Sequence, residues 1–141
     1  MGRLVIGLVV FGLVGCTSIR PVPVQAGDVC VRCERTVVDT RLAGEIIDAQ
    51  GGALKFRAPL CMAKYIRRHP ATAAAIFVTD YTTGEMFPAA NGMFVRVKVE
   101  GSEREYAAFR WPIDAGKFMK EHGGGIVDWA AVQRVAMEAT N

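Results

Sequence analysis

The chain has only two histidines, and no serine in it stands beside a plausible base. Hydrolytic chemistry of the serine–histidine type therefore lacks its parts. No glycine-rich loop opens a helix. Gly123-Gly124-Gly125 closes one, and the carbonyl end of a helix does not cradle phosphate. No acidic pair lines a convincing cleft, and Asp80 and Tyr81 before a turn read as hydrogen-bonding turn residues. Excess charge of one sign is also scarce. Seventeen Lys and Arg against 14 Asp and Glu leave a formal +3 with no basic stripe, which speaks against a nucleic-acid partner. No apolar run reaches the roughly 20 residues of a membrane-spanning helix. Glu34 follows Cys33 where haem attachment needs a histidine. The chain reads as a non-enzyme.

Its start is informative. Behind Arg3, Leu4 to Val14 supplies 11 apolar or glycine residues, the h-region of a secretory signal. The run ends in Leu13-Val14-Gly15-Cys16, the pattern of a bacterial lipobox, in which the thiol is acylated and the cut falls before it. The sequence thus predicts a signal peptide over 1–15, a lipidated Cys16 with a tether over 16–28, and a domain over 29–141. Thr17 stands where an aspartate would favour inner-membrane retention, so the expected home is the periplasmic face of the outer membrane. Thr17 to Asp28 has two prolines and no helical period, as an extended tether requires.

From Val29 the composition is that of one folded domain. Glu45–Ala49 and Leu54–Phe56 read as strands joined across Gln50-Gly51-Gly52. Pro59 suits a first helical position, and the helix runs to His69 before Pro70. Ala75–Thr79 reads as a strand, with turn chemistry at Thr82-Thr83-Gly84. Phe94–Val99 alternates and turns through Gly101-Ser102 into Glu105–Arg110. Pro112 opens a second helix ending at Gly123, and Asp128 caps a last one from Trp129 to Ala139.

The chain also repeats itself. Residues 56–69 (FRAPLCMAKYIRRH) align without gaps on 109–122 (FRWPIDAGKFMKEH), with Phe, Arg, Pro, Lys and His identical. Each copy follows a hairpin. The expected fold is α+β, two duplicated ββα units packed as one small domain. His69 and His122 fall at equivalent helix ends, where an imidazole suits the negative end of the dipole, so both read as caps. Cys61-Met62 matches Asp114-Ala115 instead. Sulfur present in one copy alone points to a site rather than to the fold.

With Cys16 committed to lipid, Cys30, Cys33 and Cys61 form an odd set of thiols that cannot all enter disulfides. Cys30-Val31-Arg32-Cys33 is a CxxC pair able to hold one ion. Cys61 falls in a first helical turn, where unpaired amides and the dipole favour a thiolate. Met62 adds a thioether. Thiolate with thioether selects Cu(I) over harder ions. Zinc fits less well, because Asp39 or a histidine would have to supply a fourth donor. Dithiol redox chemistry through Cys30 and Cys33 is an alternative, although the β-prone Thr36-Val37-Val38 follows where a thioredoxin-type centre has a helix.

The order of lipobox, CxxC, hairpin, Cys-Met at a helix start, Val78-Thr79-Asp80-Tyr81-Thr82-Thr83-Gly84 and a late Gly-Gly resembles the NosL family of nitrous-oxide-reductase accessory lipoproteins. The likeness runs from Cys30 to Trp129. It implies a lipid-anchored periplasmic Cu(I) carrier supporting assembly of the copper centres of nitrous oxide reductase. The residues it carries over are Cys16 for lipid and Cys30, Cys33, Cys61 and Met62 for metal. Family members read Cys-Gly-Met where this chain has Cys33-Glu34-Arg35. Beside the carrier stand two other readings, a thiol–disulfide lipoprotein and an adaptor lipoprotein without metal.

Overall fold

The computed structural model describes residues 18–99 and 102–138, so the expected signal peptide and Cys16 lie outside the described residues. β1 (Gly44–Asp48) and β2 (Ala53–Phe56) form the first hairpin. Asp48 builds its turn. Oδ1 accepts the amides of Gln50 at 2.9 Å and Gly52 at 2.7 Å, while Gly51 takes the positive φ of 83° that the turn demands. α1 (Pro59–Arg68) starts on its proline, with Ala58 as an extended N-cap that offers no side-chain cap. Arg67 and Arg68 fill its last turn, where cations oppose the dipole.

β3 (Ala73–Thr79) returns antiparallel to β1, and β4 (Met86–Pro88) adds at its far edge, giving the order β2-β1-β3-β4. The second half contains β5 (Met93–Val99), β6 (Ser102–Phe109), α2 (Pro112–His122), β7 (Ile126–Val127) and α3 (Trp129–Glu138). Its sheet has the order β6-β5-β7. Asp128 caps α3 as expected, its Oδ1 accepting the Ala131 amide at 2.8 Å.

The duplication extends one strand beyond the ββα unit read from the sequence. Gly44 stands opposite Phe56 as Met93 stands opposite Phe109. One residue on, Glu45 faces Phe77 of β3 just as Phe94 faces Val127 of β7. Each unit is therefore ββαβ with the same strand order and register. β4 and β7 were not read, because three and two residues are too few to show a period.

The second sheet is covered on both faces. Val95, Ala107 and Phe109 pack against Ala115 and Phe118 of α2. Phe94, Tyr106 and Ala108 join Phe56, Leu60, Cys61 and Met62 of the first unit and Trp129, Val132 and Ala136 of α3. One core thus welds the units together. Asp80 strengthens the joint: it is fully buried, and it accepts the amides of Thr82 and Thr83 and, across the units, of Arg110 at 3.0 Å. It is the turn residue the sequence suggested.

The first sheet covers its other face with the N-terminal segment. Glu45 and Lys55 are directly opposed on β1 and β2. Glu45 Oε1 accepts the Val22 amide at 2.8 Å, and Lys55 Nζ pairs with Asp28 at 2.8 Å. Val24 is buried with Val37 and Ala43. Of the segment expected as a free tether, Val22 to Asp28 therefore lies on the domain. The small apolar patch gains from that covering, and the segment supplies polar partners to the two charged side chains it removes from water.

Candidate metal centre

The Cys30–Cys33 loop is a tight turn closed by a bridge between Val29 and Thr36. The Cys30 amide donates to Arg35 O at 3.0 Å, and the Glu34 amide donates to Cys30 O at 2.9 Å. The Val31 amide donates to Lys55 O at 2.9 Å, fastening the loop to β2, whose end leads into α1. The loop is thereby set against the first turn of α1, which carries Cys61. The three sulfurs lie within 4.8 Å of one another, and Cys33 Sγ is 3.9 Å from Cys61 Sγ. All three are unbridged thiols; Cys30 and Cys61 are buried and Cys33 is partly exposed.

The turn forces Glu34 to a φ of 57°, among the described residues the one non-glycine in the left-handed region. The glycine of the family's Cys-Gly-Met pattern falls at this position. Glycine adopts that conformation without strain and glutamate does not.

The electrostatics divide the thiols unequally. Cys30 is drawn down to about 4 because the Cys61 thiol donates to it, and the amides of Arg57, Cys33 and Arg32 also point at its sulfur. Cys61 is pushed up, first by holding that hydrogen bond as donor, then by burial and the negative charge of Cys30. The sequence had placed the favoured thiolate at Cys61 through the helix end. The hydrogen bond from Cys61 and the three amides aimed at Cys30 outweigh the helix dipole and favour the thiolate at Cys30.

Two residues that the sequence did not single out complete the surroundings. Arg57 pairs with Glu105 of β6, its Nη2 3.2 Å from Glu105 Oε1. Its charge is felt by Cys61 and Cys33. Only the exceptional sulfur beside it could have flagged Arg57, since the repeat makes it look like scaffold. Nothing local marks Glu105.

Met62 packs its Sδ against Gly44 of β1. The side chain is fully buried over β1, where a Cβ on Gly44 would overlap its sulfur. His69 and His122 sit at their helix ends with rings over Tyr65 and Phe118, at 4.4 and 4.2 Å between centroids. Neither joins the cysteine group. Asp39, the other donor considered for zinc, caps the turn over Thr40–Leu42 and pairs with Arg41 at 2.8 Å.

Fold and site together define a class: a small α+β domain of two ββαβ units that gathers three thiols between a turn and a helix start. The family model of NosL matches residues 21–137, and the chain belongs to the NosL family. It is similar in structure to the copper chaperone NosL from Shewanella denitrificans, with a TM-score of 0.68 at 12% identity. That likeness covers 80% of this chain and 95% of the other, and at such identity it speaks to the fold. No curated protein sequence matches the chain.

Proposed function

We propose that this protein is a lipid-anchored periplasmic carrier that binds Cu(I) through Cys30, Cys33 and Cys61 and passes it to a copper enzyme such as nitrous oxide reductase. The observation that carries the reading is the sulfur triangle. A metal at the centre of three sulfurs with bonds of about 2.3 Å sets the sulfurs about 4.0 Å apart. The Cys33–Cys61 separation of 3.9 Å matches this without movement. Three soft anionic donors suit Cu(I), whereas structural zinc takes four. No His, Asp or Glu completes the group among the described residues.

Delivery follows from the unequal exposure of the ligands. Cys33 is the sulfur that solvent reaches, so an incoming donor of the partner meets the ion on that side. The ion passes by ligand exchange, the new bond forming before Cys30, the deepest sulfur, lets go. Support for the periplasm and the anchor comes from the lipobox at Cys16. The thiol–disulfide reading has a weaker basis, because attack on a substrate disulfide needs a reachable thiolate and Cys30 is fully buried.

Anaerobic Cu(I) titration followed by native mass spectrometry tests the proposal. The reduced domain should take up one Cu(I), and Cys61→Ser should bind it far more weakly, since an alcohol stays protonated where a thiolate forms. Equal affinity of that variant would refute the site. The anchor is checked separately: Cys16→Ser should no longer partition with membranes or detergent.

A further inference from the structure

Cu(I) on three thiolates carries one more negative charge than Zn(II) on the same three. This holds whatever protons the empty site keeps. A fixed cation beside the sulfurs therefore favours the Cu(I) complex over the Zn(II) complex, and does so more strongly the less water screens it. We propose that Arg57 is the selectivity-determining residue of the sulfur site, the buried positive charge that biases it towards a monovalent soft ion. The inference rests on the carrier reading above.

Three observations carry it. Arg57 is largely withdrawn from solvent, its side chain 19% exposed, and Glu105, which holds it, is 5% exposed. Arg57 hydrogen-bonds to Cys61 and feels the charges of Cys61 and Cys33, whereas Glu105 reaches Cys61 by its charge alone, so the pair stands with its positive member nearer the sulfurs. Arg57 Nε is also buried with no acceptor among the described residues, which leaves a donor beside a cluster that becomes more negative when loaded with Cu(I).

The repeat supplies a control within the same chain. Arg110 is the counterpart of Arg57, and its neighbour at the helix start is Asp114 rather than a cysteine. Arg110 is half exposed, lies over the Trp111 ring and reaches Glu85 only at 3.9 Å. The fold therefore does not require this arginine to be buried. It is buried where there is sulfur to face.

The test measures Cu(I) and Zn(II) affinities anaerobically against competing chelators, in wild type and in Arg57→Gln, Arg57→Lys and Glu105→Gln, with thermal unfolding of each apo-protein alongside. The ratio of the two affinities is the readout, because a merely loosened site weakens both ions together. Arg57→Gln should lower the Cu(I)-to-Zn(II) ratio by about tenfold or more, from one charge–charge interaction at partly screened contact distance. Arg57→Lys should restore most of it. Glu105→Gln keeps an oxygen for Nη2 and removes the opposing charge, so its ratio should rise. An unchanged ratio in folded Arg57→Gln overturns the role. If Arg57→Gln does not fold, a falling ratio in Glu105→Gln, or a Lys variant whose ratio drops tenfold, overturns it equally. A wild-type protein binding neither ion would refute the carrier reading and this role with it, whereas an unchanged ratio with tight Cu(I) binding refutes the role of Arg57 alone.

Discussion

Gly44 of β1 lies under the thioether of Met62 on α1, at a distance that leaves no room for a Cβ. The second unit reverses the sizes: Met93 holds the strand position and Ala115 the helix position, both beside the α2 core. Small strand residue with large helix residue, and large with small, fill the same gap in two ways. A Cβ on Gly44 would overlap Met62 Sδ and come within 2.8 Å of Phe77 O. Gly44→Ala should therefore destabilise the domain by about 1–3 kcal/mol, the usual cost of overpacking. Combined with Met62→Ala, the loss should be smaller than the sum of the two single losses. Chemical denaturation of the four proteins measures this, and strict additivity would show that the two residues do not share the space.

The same contact bears on copper. Met62 packs its thioether against β1, so Met62→Leu, which keeps the volume, should cost less than about 1.5 kcal/mol of stability. Its Cu(I) affinity should remain close to that of wild type. A loss as large as that of Cys61→Ser would make the thioether a ligand after all, as the family resemblance implies.

Hairpins and proline-started helices were legible because turn residues, alternation and Pro59 and Pro112 are local signals. The convergence of Cys61 with the CxxC loop was legible in a different way, from the asymmetry of the repeat at Cys61 and Asp114. What the sequence hid is non-local. Arg57 and Glu105 are 48 residues apart, and no pattern links them. Which thiol the site favours as the anion depends on three sulfurs and several amides brought together by folding, none of which a helix-end argument applied to Cys61 alone can see.

Glu34 offers a test confined to the backbone. Its left-handed φ of 57° costs a residue with a Cβ about 1–2 kcal/mol, and glycine avoids that cost while gaining freedom in the unfolded chain. Glu34→Gly should leave a net gain of about 0.5–1 kcal/mol. The cysteines keep their places, so Cu(I) stoichiometry should not change. A lower melting temperature would show that the exposed Glu34 side chain contributes more than its backbone loses.

Glu45 makes the stability of the domain depend on pH. It is fully buried on the sheet face that the N-terminal segment covers, and burial raises its pKa, only partly opposed by the Val22 amide and the charge of Lys55. Its counterpart in the second unit is Phe94, an apolar core residue. With a folded pKa above the ordinary glutamate value, the folded state holds this proton the more tightly. Its contribution is present below the ordinary pKa and is lost as pH rises through the folded one. Glu45→Gln stays neutral throughout, and its carbonyl can still accept the Val22 amide. Melting temperatures of variant and wild type should nearly coincide at about pH 4, with the variant pulling ahead towards pH 8. A gap that stays constant across that range would mean that the carboxyl of Glu45 titrates as it does in the unfolded chain.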